Sequence, residues 1–310
     1  MAKQTQKAAK ASSNGFEGMV AIQLNVRFWP GQAKLKPQDL GLNPEEVPEI
    51  FYLGNKKLYP QEIRQRFGQL SNRARTFLND HSYPFVMEYV RAIPKRNLAK
   101  VVERLEALKE EFMAEAHNFL AEYDAIREGW REKYPDIWEH LAPHYPPRDY
   151  LKKRFDFYWT VFEIKGAEVQ EGSAPEIIEA YERARAELQA RYEEMVEEAV
   201  VYLRKKVLEV VTNLSSRLKE GRIVRNDTLE SVRRVEAWFR DLNIFGDTQV
   251  EEALARLRAA LNGTNYEALK DNEPLKQQLA ELADQVAAVA GNLDDVSVIS
   301  GQYRRMIDLT

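Results

Sequence analysis

Between Pro175 and Gly221 the chain runs for more than forty residues without a proline or glycine. Within that run Leu188, Tyr192, Met195, Ala199, Leu203, Val207, Val210, Leu214 and Leu218 recur at spacings of mostly three and four. That period places them in one stripe on a helix. At about 1.5 Å per residue the helix would be on the order of 70 Å long. A helix of that length outreaches a small domain, so the pattern predicts a helical hairpin or coiled-coil arm. Ser173 and Glu176 stand at the spacing of a capping box, and Gly221 suits the C-cap.

Capping signals continue beyond it. Asp227 with Glu230, Thr248 with Glu251, Thr264 with Glu267 and Asn272 with Pro274 open further helices, the last closing at Gly291. Upstream, Gln61–Leu78 and Pro94–Tyr134 carry helical apolar spacings as well.

Two segments read differently. Val20, Ile22, Leu24, Val26 and Phe28 alternate with polar or small residues, a strand signal ended by Pro30-Gly31. Phe155–Ile164 is rich in aromatic and β-branched residues and is the expected partner strand. Two strands alone are marginal, so they are expected to lie on helices. The fold class is therefore mainly α, with a long helical arm and a small two-stranded β element. The expected organisation is a basic, disordered tail over 1–17, an α-rich N-terminal domain over 18–170, and a long-helix arm with a helical bundle over 171–310.

Composition narrows the function classes. There is no cysteine, which fits a reducing cytoplasm and excludes thiolate catalysis and cysteine-ligated zinc. No stretch approaches the roughly 18–20 apolar residues that cross a bilayer. The net charge is −4, yet residues 51–104 hold eleven lysines and arginines against four acids. Lys56, Lys57, Arg64, Arg73 and Arg75 within that segment are the candidate interaction residues, facing an acidic protein or phosphate.

Chemical motifs are scarce. His140 and His144 stand four apart, but Pro143 lies between them and no glutamate follows His140, so the zinc-protease pattern is missing. Gly54-Asn55-Lys56-Lys57 lacks the spaced glycines and the following Ser or Thr of a phosphate loop, and reads as a turn. The aromatics of Phe155–Phe162 could stack bases, though core packing is the commoner use. No catalytic residue, cofactor site or metal site is expected.

Several segments together resemble a known family. They are Leu35-Lys36-Pro37-Gln38-Asp39-Leu40, Leu53-Gly54-Asn55-Lys56-Lys57-Leu58, the Arg73-Ala74-Arg75 helix, Glu110-Glu111-Phe112 and Phe119-Leu120-Ala121-Glu122-Tyr123. Asp227-Thr228-Leu229 and Asn243-Ile244-Phe245-Gly246-Asp247 follow near the end. In this order they resemble, over about residues 18–262, a bacterial, plasmid and phage family known as a domain of unknown function. Its members are often encoded near MoxR-type AAA+ ATPases and von Willebrand factor A-domain proteins. The resemblance implies a protein partner of that kind, in mobile-element or phage-defence biology, and brings no catalytic residues with it. The expected function is thus a cytoplasmic, non-enzymatic interaction protein, free or oligomeric. The alternative is a nucleic-acid-binding subunit of a phage or defence ribonucleoprotein that uses residues 51–104.

Overall fold

The alternating segment near the N-terminus folds as β1 (Met19–Arg27), and the turn at Gly31 leads into β2 (Gln32–Lys34). Two short 3-10 turns, Pro37–Leu40 and Pro44–Glu46, precede β3 (Asn55–Lys57). Then come α1 (Gln61–Asp80), β4 (Tyr83–Pro84), β5 (Val90–Pro94) and the 36-residue α2 (Leu98–Lys133). The proline-rich stretch after α2 yields only α3 (Trp138–Leu141) and α4 (Arg148–Lys152) before β6 (Asp156–Phe162). The 45-residue α5 (Pro175–Lys219) opens the helical C-terminal part. It is followed by α6 (Asn226–Leu242), α7 (Thr248–Leu261), α8 (Tyr266–Lys270), α9 (Glu273–Gly291) and α10 (Val296–Met306). This computed structural model describes residues 18–163 and 172–306, with side chains described as far as residue 301. The tail read over 1–17 and the end of the strand read to Ile164 lie outside the described residues.

The protein is mainly α, with the long helix and the small β element that the sequence predicts. β1 and β6 are hydrogen-bonded neighbours, as expected. They are joined in one sheet by two further strands, giving the order β4-β5-β1-β6. β4 and β5 pair antiparallel, with Tyr83 opposite Ala92. A second, two-stranded sheet pairs β2 with β3 antiparallel, placing Ala33 opposite Lys56.

The chain divides into two compact units: residues up to 22, 81–98 and 161 onward, and residues 23–80 with 99–160. Residues 18–22 and 81–98 cluster with the C-terminal helices. The reason is packing. Met19, Tyr83 and Ala92 enter the same buried cluster as α5, α6, α7 and α9.

In that first unit α5 is the central helix. α9, α6 and α10 pack on it, and its buried residues begin at Tyr192 and end at Leu218. The segment before α2 closes the end of α6. The Arg96 guanidinium donates to the Arg240 carbonyl at 2.6 Å, and the Asn97 amide to the Asp241 carbonyl at 2.7 Å. These carbonyls have no partner within the helix, and a cation there also meets the negative end of its dipole. The Tyr83 hydroxyl donates to the Leu242 carbonyl beside them.

The second unit is organised by aromatic rings. Phe67 of α1 lies 5.6 Å from Phe112 and 6.1 Å from Phe119 of α2, and 5.1 Å from Phe155. Phe155 and Phe157 are buried in this core, which settles their use as packing groups, while Tyr158 is exposed. α1 and α2 are also tied along their rim by Arg66–Glu115 and Arg73–Glu111 ion pairs, each at 2.6 Å.

Candidate functional site

The five cations singled out in the sequence lie in the second unit and divide by what they touch. Lys56 points inward from β3. Its ammonium donates to Asp39 at 2.8 Å and to the His140 carbonyl at 3.3 Å, with both side chains about one-tenth exposed. Burial alone would raise the Asp39 carboxyl. The hydrogen bonds from Lys56 and from the Lys36 backbone N–H outweigh it, and hold the carboxyl below its ordinary value. Lys56 therefore fastens β3 to the Pro37–Leu40 turn and to α3. Gly54 adopts φ +80°, and its carbonyl accepts from the Leu35 N–H, so the Gly54–Lys57 stretch is a turn into a strand.

Arg73 is held by Glu111 through two bonds, of 2.6 and 3.3 Å. Lys57 donates to Gln61 at 2.5 Å and stays exposed. Arg64 and Arg75 are exposed, and neither makes a hydrogen bond or ion pair among the described residues. They are eleven residues apart, about three turns, so they share one face of α1. Lys57, Arg64 and Arg75 are thus the members of the set free to meet a partner, while Lys56 and Arg73 hold the unit together.

Sequence reasoning missed the loop just before β3. Ile50, Phe51 and Tyr52 are 87, 64 and 76% exposed, and the Phe51 N–H closes a turn onto the Pro48 carbonyl at 2.9 Å. The signal was present as three consecutive large apolar residues inside a Pro- and Gly-punctuated loop. Isolated apolar residues on a surface are ordinary, but three in a row on a loop mark a contact surface.

His140 is half exposed, with Nδ1 4.0 Å from Asp39, and His144 lines a separate cleft. Among the described residues no three metal-ligating side chains gather. No helix among them is long and apolar enough to cross a membrane.

These features define a helical protein whose surface, in the second unit, carries free cations and an exposed apolar loop. Its residues 16–283 match the family described as "Protein of unknown function (DUF3150)", and the chain belongs to that family. No curated protein and no solved structure matches it.

Proposed function

We propose that this protein is a non-enzymatic interaction subunit, and that the loop Ile50–Tyr52 with Lys57, Arg64 and Arg75 forms its contact surface. The observation that carries this reading is the solvent exposure of three consecutive large apolar side chains, in the same unit as the exposed cations Lys57, Arg64 and Arg75, of which Arg64 and Arg75 make no hydrogen bond or ion pair among the described residues. The apolar residues supply the area that association buries, and the cations steer an acidic face towards it. The partner that the family resemblance suggests is a MoxR-type AAA+ ATPase or an A-domain protein, in an adaptor role. A second reading rests on Phe51 and Tyr52. Exposed aromatic rings beside cations can also stack the bases of a nucleic-acid strand.

The test is a titration of the purified protein with such an ATPase, such an A-domain protein and single-stranded RNA, each at low and moderate salt. Replacing Ile50, Phe51 and Tyr52 with Ser should weaken the bound partner by at least about tenfold, since two or more anchors are lost. A protein partner should respond to salt mainly in its association rate, and RNA in its equilibrium affinity. Equal affinity of the wild type and the variant for every partner would overturn the reading.

A further inference from the structure

In the unit formed by residues 23–80 and 99–160, the end of β1 and the segment from Pro143 to Arg154 border a cleft of about 640 Å³. That volume lies in the range of small-molecule sites. Arg27, Phe28, His144, Tyr150, Lys153 and Arg154 line it, the remaining wall is apolar, and no carboxylate is among the lining residues. Arg27 is engaged with Asp156 at 2.5 Å. Lys153 and Arg154 make no ion pair among the described residues. The Arg154 guanidinium lies 4.5 Å from the centre of the Tyr150 ring, which orients its planar donors.

Asp156 neutralises Arg27 and Asp149 feels the charge of Lys153, but no carboxylate lines the hollow itself, so an anion there relieves the repulsion between Lys153 and Arg154. Inorganic phosphate would answer the charge but leave the aromatic wall unused. A ligand that answers both carries phosphate and a planar ring. We propose that this cleft binds a nucleoside phosphate, free or as one unit of a single strand, with its phosphate on Lys153 and Arg154 and its base against Phe28 and Tyr150. The site is distinct from the Ile50–Tyr52 loop and stands or falls independently of it.

The experiment is calorimetric titration of the full chain with ATP, AMP, inorganic phosphate and a short oligothymidylate. ATP or the oligonucleotide should bind well above phosphate. Lys153→Glu with Arg154→Glu should weaken that binding by roughly tenfold or more, because each charge-assisted contact is worth about that much. Tyr150→Leu keeps all three cations but removes the ring, and should weaken the nucleotide more than it weakens phosphate. All three substituted residues are exposed, and circular dichroism checks the fold. Binding of free ATP identifies a nucleotide site; preference for the strand, with a steep salt dependence, identifies a nucleic-acid source. Absence of binding by both, phosphate binding as tightly as ATP, or nucleotide affinity untouched by the substitutions would overturn the proposal.

Discussion

Arg204 of α5 and Asp247 at the N-cap of α7 form a buried ion pair of two hydrogen bonds, 2.7 and 3.2 Å long, with side chains 0 and 2% exposed. The guanidinium also donates to the carbonyls of Val289, at 3.2 Å, and Asn292 at the end of α9. Asp247 accepts from the Val250 N–H at 3.3 Å, so one carboxylate caps α7 and neutralises the arginine together. Asn243 encloses it by accepting from the Asp247 N–H at 3.0 Å and donating to the Asp247 carbonyl at 3.2 Å. Removing one partner strands the other charge in the core. Arg204→Met and Asp247→Ala should each cost about 3–5 kcal/mol in urea unfolding, and the double variant should cost less than their sum. Additive losses would show that the pair is not coupled.

Gly31 and Tyr59 carry a second prediction. Gly31 has φ +56°, and a Cβ placed there would lie 1.8 Å from the Tyr59 ring. The Tyr59 hydroxyl donates to the Trp29 carbonyl at 2.8 Å and the ring is buried, which holds it in place; the same burial pushes the phenol's pKa well up. Gly31→Ala should destabilise by about 3 kcal/mol, combining the left-handed backbone with overpacking. In a Tyr59→Ala background the same substitution should cost markedly less. Thermal melts of the four proteins decide it, and an unchanged cost would place the strain in the backbone alone.

The two halves of α5 should behave as different materials. Residues 174–184 are exposed throughout, Ile177, Ile178 and Tyr181 included, whereas Leu203 and Val207 are buried at 1 and 0%. Leu203→Ala should cost about 2–5 kcal/mol, through lost transfer energy and the cavity left behind. Ile178→Ser should stay within about 0.5 kcal/mol. Hydrogen exchange should show early amide exchange before Tyr192 and strong protection after it. Uniform protection along α5 would refute this division.

What could be read in the sequence follows from which interactions are periodic. The long helices show because their apolar residues repeat on one face, and α5 begins at Pro175 and ends two residues before Gly221. β5 did not show. Val90, Ala92, Ile93 and Pro94 are buried, so both faces are covered and no alternation survives over five residues. The candidate cations were visible as composition, but their division into Lys56 and Arg73, which are held, and Arg64, which is not, depends on where Asp39 and Glu111 arrive from elsewhere in the chain. Arg204 left a trace. It falls four residues after Val200 and seven before Val211, on the apolar stripe itself, where a charge needs a buried partner. That the partner is Asp247 only the fold reveals. The cleft at Arg154 left none, since His144, Lys153 and Arg27 become neighbours only through tertiary packing.

His144 gives the last prediction, a dependence on pH. Burial lowers its pKa first, and the charges of Lys56 and Lys36 lower it further against the opposing pull of Asp39. The folded value is thus below the ordinary value of about 6.5 that the unfolded chain retains. Between the two values the unfolded state binds more protons, so stability rises with pH in that window. The contribution is complete above about pH 6.5 and is lost as pH falls towards the folded value. His144→Gln should flatten the stability profile in this range while leaving the loss at lower pH, where the depressed Asp39 carboxyl takes up its proton. Phosphate in the cleft should act in the opposite sense on the same imidazole. An anion beside it favours the charged form, so binding of the oligothymidylate, whose phosphodiesters keep their charge across this range, should strengthen as pH drops from 7 to 5.5 in the wild type and stay flat in His144→Gln. Calorimetry at three pH values measures the difference. A wild-type affinity that falls with acidification would show that His144 does not face the bound anion.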